Sequence, residues 1–412
     1  MRRAPLALAL LLACGACTPV PRETRWASVQ ELTPAGFSLQ PAGEPGLAAG
    51  PGGRLALTWV TRDGAGNADA WVATSADSGA HFSLALRLNA RAGSVSSFAE
   101  SPPVAAFGPR GLLIVAWTSA RDSSHSADDV VARASADGGA TFDPEVFLND
   151  DHGLPGGSSY HGFVSLDITA TGRAIATWID GRAEKLAPGE REPVIAQIWS
   201  AASDDSGRTW KPNVRVASQV CPCCRPAMRA NGLGLVAVAY RGVRDTLRDP
   251  RLALSHDGGA TYADTLISDD GWKLDACPVA GPALTLVRDG GAVAWLTGAR
   301  EPGVYVAPWR AGAGAIAPRR RLAEPALEAS QPRLATLGGA TLAGVVTEPR
   351  RGHHAFALKT IAESGAESTW LELGANVSAP ALAAPDSRHA YAAWIEKTEA
   401  GPRLRLVRVT RG

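Results

Sequence analysis

The chain has almost no net charge, +1 over 412 residues, so its overall balance does not supply the basic surface that nucleic acid or an anionic bilayer would need. Methionine is nearly absent, with two copies, and two of the six cysteines lie within the first seventeen residues. Beyond the N-terminal stretch no run is long and apolar enough to span a bilayer. What is plentiful is turn punctuation, 44 glycines and 29 prolines, together with 12 tryptophans in a chain that is 45% hydrophobic. That combination excludes a disordered chain and points to a globular fold with many short elements.

The N-terminal stretch has the layout of a targeting signal: Arg2 and Arg3, then the apolar run Leu6 to Ala13, then small residues. Leu11, Leu12, Ala13 and Cys14 resemble a bacterial lipobox, in which the cysteine is acylated and becomes the new N-terminus. Cys17 is a second candidate for that role, and cleavage of an ordinary secretory peptide near Ala16 is the alternative. The expectation is export to a bacterial cell envelope, in the periplasm or on a membrane through a lipid anchor. The division that follows is a signal segment over 1–17, a linker with a ring-closing strand over 18–43, and one domain over 44–412.

Internal repetition sets the fold. Four segments share the order Ser, any, Asp, any, Gly, two more, aromatic: Ser75 to Phe82, Ser135 to Phe142, Ser203 to Trp210 and Ser255 to Tyr262. A worn copy lies at Glu363 to Trp370. These segments resemble the Asp boxes of the sialidase superfamily of bacterial-neuraminidase-repeat propellers, over residues 44 to 268. A longer register runs beside them. A proline opens an apolar run that ends about one hairpin later in an aromatic: Pro45 and Trp59, Pro103 and Trp117, Pro226 and Tyr240, Pro282 and Trp295, Pro380 and Trp394. Pro332 with Val346, and Phe163 to Trp178, keep the spacing in part.

The count is seven units of four short strands, which reads as a seven-bladed β-propeller, with six blades the alternative. In the second unit the strands are Val104 to Phe107, Leu112 to Trp117, Val130 to Ser135 and Val146 to Leu148. The seventh unit has only three strands, around Leu382, Tyr391 and Leu404. Trp26 to Leu32 is the expected fourth, closing the ring and covering the last open edge.

In an up-and-down blade the turn from second to third strand and the approach to the next blade share a face, and the Ser-x-Asp-x-Gly segments lie on the other. Asp77, Asp137, Asp205 and Asp257 are therefore expected to be fold determinants. The first face carries an arginine series: Arg121, Arg182, Arg244, Arg300 and Arg350, with Arg62 one residue early. Such arginines can hold a carboxylate, sulfate or phosphate bidentately, or brace their own loops through neighbours such as Asp122, Asp180 and Asp245.

Cys221, Cys223 and Cys224 precede Pro226, and Cys277 precedes Pro282 at the same offset as Cys221, so all four should meet on that face. Disulfides are one outcome in an exported protein, with Cys277 bridging to one of the other three. Thiolates binding copper or zinc, joined by His161 or Met228, are the other. His152 lies close to the same corner.

The resemblance implies glycosidase chemistry with a tyrosine nucleophile, an activating glutamate, an acid/base aspartate and three arginines on the substrate carboxylate. Tyr240, Tyr160, Asp180, Glu348 and Glu396 are the candidates. The N-terminal Arg-Ile-Pro motif of sialidases is missing, since Gly36 to Pro51 contains no arginine. The leading expectation is a propeller that binds a small anionic molecule, a glycan or a metal ion. A hydrolase with a rearranged site, and an envelope scaffold with structural disulfides, are the alternatives.

Overall fold

The computed structural model describes residues 26–32, 45–96, 100–122, 127–154, 160–182, 196–312, 316–323, 328–348 and 354–412. Cys14, Cys17 and Arg350 lie outside them.

Every sheet has four antiparallel strands, and there are seven sheets. The second blade comprises Val104–Phe107, Leu113–Ala120, Asp128–Ser135 and Val146–Phe147, close to the ranges that turn chemistry predicts. Neighbouring innermost strands touch all the way round, including the first blade against the seventh, so the ring is closed. The outermost strand of the seventh blade is the N-terminal Trp26–Glu31, antiparallel to Gly401–Arg411. Leu32 continues the seam, its N–H donating to Leu406 O at 2.9 Å.

The core lies between blades. Each aromatic of the longer register is packed against the preceding sheet of the ring: Trp59, Trp117, Trp178, Tyr240, Trp295 and Trp394 are all at most 2% exposed. Burying side chains of this size contributes about 1.5–3 kcal/mol each, and their recurrence explains why the repeat is legible at all. Alternate residues of the second and third strands face neighbouring blades, which is why runs such as Leu113–Ala120 are buried on both sides.

The four Ser-x-Asp-x-Gly turns have one geometry. Ser135 Oγ donates to Asp137 Oδ1 at 2.7 Å and accepts from Gly139 N at 2.8 Å, while Asp137 Oδ1 accepts from Thr141 N at 3.0 Å. The turns at Asp77, Asp205 and Asp257 repeat these contacts. In the turns at Asp77, Asp137 and Asp257 the hydrogen bonds hold the carboxyls well below the usual range. These aspartates sit between third and fourth strands and hold turns, as their spacing implies.

Candidate functional site

The opposite face carries the starts of the innermost strands and the ends of the second strands. The pairing His161↔Asp180 fixes this in the third blade. In the fourth, Cys221 N donates to Arg241 O at 3.0 Å and tucks the cysteine loop against the end of the second strand, Val236–Arg241.

Four sulfurs converge there. Cys223 is bonded to Cys277 and ties the approach to the fourth blade to that of the fifth, with Cα atoms 6.4 Å apart. Cys221 and Cys224 remain thiols, both buried, with Sγ atoms 3.2 Å apart, and Cys221 Sγ is 3.7 Å from Cys223 Sγ. The Sγ–Sγ contact with Cys224 lowers the Cys221 thiol to about 7, against burial and with help from Arg241 and Arg248, while Cys224 is pushed up by the same contact.

Arg241 is 1% exposed. It donates to Arg248 O at 2.7 Å and Leu296 O at 2.8 Å, and its guanidinium lies 4.8 Å from the Trp272 ring. A buried arginine committed only to carbonyls and a ring leaves its charge uncancelled by any carboxylate in those contacts, and it stabilises a nearby thiolate. Sequence spacing did not single it out. The signal was its place directly after the register aromatic Tyr240.

His161 belongs to another group. Its Nε2 lies 3.0 Å from Asp151 Oδ1 and 3.3 Å from Asp180 Oδ2, and its Nδ1 donates to Asp128 O at 2.8 Å. The structure thus separates His161 from the sulfurs with which its position in the chain had grouped it. Burial opposes protonation of the ring, but the two carboxylates outweigh it and raise its pKa to about 9. Tyr160 links the two clusters, donating its hydroxyl to Pro222 O at 2.7 Å.

Among the described residues the arginine series does not form a ring of open guanidiniums. Arg121 is forked on Asp129, at 2.7 Å from Nη2. Arg182 is forked on Asp180, reaches Asp150 at 2.8 Å, and stacks 4.0 Å from the Trp199 ring. Arg62, Arg244 and Arg300 are exposed. The reason is local: strand ends on this face also carry aspartates, and a fork to a carboxylate held by the same sheet needs little ordering.

The arginines that line the central channel come instead from the innermost strands and the approaches to them: Arg225, Arg229 and Arg333 around a cavity of about 150 Å³. Glu100 meets them, accepting from Arg333 at 3.2 Å.

The tyrosine and glutamate candidates fall apart as a set. Tyr240 is buried between blades and donates to Asp264 Oδ2 at 3.0 Å. Burial and Asp264 push its pKa up, which is the wrong direction for a nucleophile. Tyr160 is engaged as above. Asp180 is fully buried under Arg182, Trp178 and His161. Glu348 ends the second strand of the sixth blade opposite Glu328, and Glu396 takes Arg405 at 3.3 Å in the seventh. Met228 is buried between the third and fourth blades.

No protein-family model matches the sequence, and no curated protein matches it. Among solved structures, a polysaccharide lyase is similar with a TM-score of 0.56 and 10% identity, over 90% of this chain and 90% of that one. An α-L-arabinofuranosidase from Fusarium graminearum gives 0.51 and 15%, over 83% of this chain and 98% of that one. A sialidase of Trypanosoma rangeli gives 0.48 and 14%, over 90% of this chain and 55% of that enzyme, so this chain spans little more than half its length. At such identities the likeness is one of fold alone, and the seven blades are read from this chain's own sheets.

Proposed function

We propose that the chain is an exported, lipid-anchored propeller of the Asp-box type whose ligand is a soft metal ion, copper(I), held by Cys221 and Cys224. The observation that carries this reading is the pair of buried thiols 3.2 Å apart beside Arg241, one of them lowered to about 7. Soft thiolates select copper(I) over harder ions. A buried dithiolate needs a nearby positive charge before metal arrives, and Arg241 supplies it. The Cys223–Cys277 bridge holds the loop that presents both thiols. An anion held by the arginine series is disfavoured because Arg121 and Arg182 already have carboxylate partners. Glycoside hydrolysis by a tyrosine nucleophile is disfavoured because Tyr240 lies in the interblade core.

A second reading has an observation of its own. Cys221 Sγ lies close enough to Cys223 Sγ for thiol–disulfide exchange. Titration with copper(I) under anaerobic conditions, against a competing chelator, separates the two. One equivalent bound by the wild type and lost in Cys221→Ser and Cys224→Ser supports the metal site. No stoichiometric copper, with a thiol count that changes reversibly with the redox buffer, supports exchange. The N-terminal anchor is tested by mass spectrometry of membrane-derived protein, with acylation abolished in Cys14→Ala.

A further inference from the structure

The histidine and carboxylates of the third blade are not explained by the sulfur site. His161 is fully buried and so is Asp180, and Asp151 is nearly so. The Nδ1 contact with Asp128 O fixes the ring tautomer and turns Nε2 toward the two carboxylates. Nε2 stands 3.0 and 3.3 Å from the two oxygens, yet among the described residues it makes no hydrogen bond of ordinary geometry.

Close approach without a well-formed hydrogen bond is what ligation produces. Two donors each held about 2.1 Å from a common ion, at about 90–105° to one another, stand about 3.0–3.3 Å apart, off each other's hydrogen-bond axes. The measured separations, 3.0 and 3.3 Å, fall in that window. The surroundings match a ligand shell held from behind. His161 is fixed through Nδ1, Asp151 accepts from Asn149 Nδ2 at 2.9 Å, and Asp180 accepts from Trp178 Nε1 at 2.9 Å.

Charge points the same way. Asp128, Asp129, Asp150, Asp151 and Asp180 gather here, and Arg121 and Arg182 are the guanidiniums among them. Asp150 and His152 are exposed, and the buried carboxylates Asp128, Asp129, Asp151 and Asp180 leave one negative charge against Arg121, Arg182 and a protonated His161. A buried excess of that sign is costly without a cation.

We infer that Asp151, His161 and Asp180 form a binding site for a first-row divalent ion of the zinc or manganese type. One imidazole and two carboxylates suit a borderline to hard ion, unlike the thiols of the next blade. The two sites are therefore separable by metal chemistry, and this one does not depend on the copper reading.

The test uses chelator-treated full-length protein and its Cys221→Ser/Cys224→Ser form, titrated separately with zinc(II) and manganese(II). The expected result is one equivalent of at least one of these ions in both proteins, with affinity at least tenfold weaker in His161→Gln and Asp151→Asn. Cobalt(II) added to the Cys221→Ser/Cys224→Ser protein should give visible d–d bands without a thiolate charge-transfer band, a reading that needs no change at the site itself. Absence of stoichiometric zinc and manganese together with a featureless cobalt spectrum, or undiminished binding in folded His161→Gln and Asp151→Asn proteins, overturns the assignment.

Discussion

Glu100, on the approach to the second blade, accepts a hydrogen bond at 3.1 Å from the backbone N–H of Gly281, on the approach to the fifth, 181 residues away. Its other oxygen takes Arg333 of the sixth blade at 3.2 Å. One carboxylate therefore ties blades from different parts of the ring at the mouth of the channel. Gly281 allows the approach, since a Cβ there would sit 2.2 Å from Arg225 O.

This arrangement predicts a specific acid sensitivity. Burial alone would raise the Glu100 carboxyl, but Arg333, Arg225 and the Gly281 N–H outweigh it and hold it below its ordinary value. A carboxyl depressed on folding stabilises the protein above its unfolded pKa of about 4.3 and loses that contribution as pH falls through the folded value. Glu100→Ala should cost about 1–3 kcal/mol at neutral pH, because the largely covered Arg333 is left without its carboxylate. Adding Arg333→Met should recover part of the loss. Urea unfolding from about pH 7 to about pH 3 should show a weaker pH dependence in Glu100→Gln than in the wild type. Parallel curves would mean the contact contributes nothing to acid stability.

The Ser-x-Asp-x-Gly turns predict a contrast between adjacent glycines. Gly138 and Gly139 both have positive φ, +80° and +101°, so alanine at either is strained by about 1–3 kcal/mol. Only Gly139 is also hemmed in: a Cβ there would meet Thr74 Cγ2 at 2.6 Å and Leu113 Cδ2 at 3.0 Å, while one at Gly138 would meet nothing within 4 Å. Gly139→Ala should therefore unfold at lower urea than Gly138→Ala. Equal midpoints would show that the turn does not pack against the first blade in solution.

How much of this could be read from the chain follows from the range of each interaction. The blades were legible because a proline, an aromatic and a Ser-x-Asp-x-Gly turn are local signals repeated at one period. Even the ring-closing strand, Trp26–Glu31, could be assigned by counting the strands the last blade lacked. The face carrying the cysteines and His161 followed from the same count. Contact partners did not. Register places Arg121 and Arg182 at strand ends but does not reveal that Asp129 and Asp180 reach them first. Tyr240 has the spacing of a face residue and the burial of a core residue, because the alternation of the strand turns it between blades. Glu100 carried no motif, and its partners lie 181 and 233 residues away, where only ring closure brings them.

The pairing of Cys277 with Cys223 rather than with its neighbours has a physical reason and a measurable consequence. Cys221 and Cys224 are buried, whereas Cys223 is partly exposed, where Cys277 reaches it. Closing a chain separation of 54 residues should stabilise the fold by about 4 kcal/mol if the gain is chain entropy. Cys277→Ser alone is an ambiguous probe, because the freed Cys223 lies 3.7 Å from Cys221 and can bridge to it instead. The same substitution in the Cys221→Ser/Cys224→Ser protein removes that escape. Its urea midpoint should fall further below its parent than Cys277→Ser falls below the wild type. If the triple variant matches its parent, interblade packing alone holds the fourth and fifth blades together and the bridge serves only to position the cysteine loop.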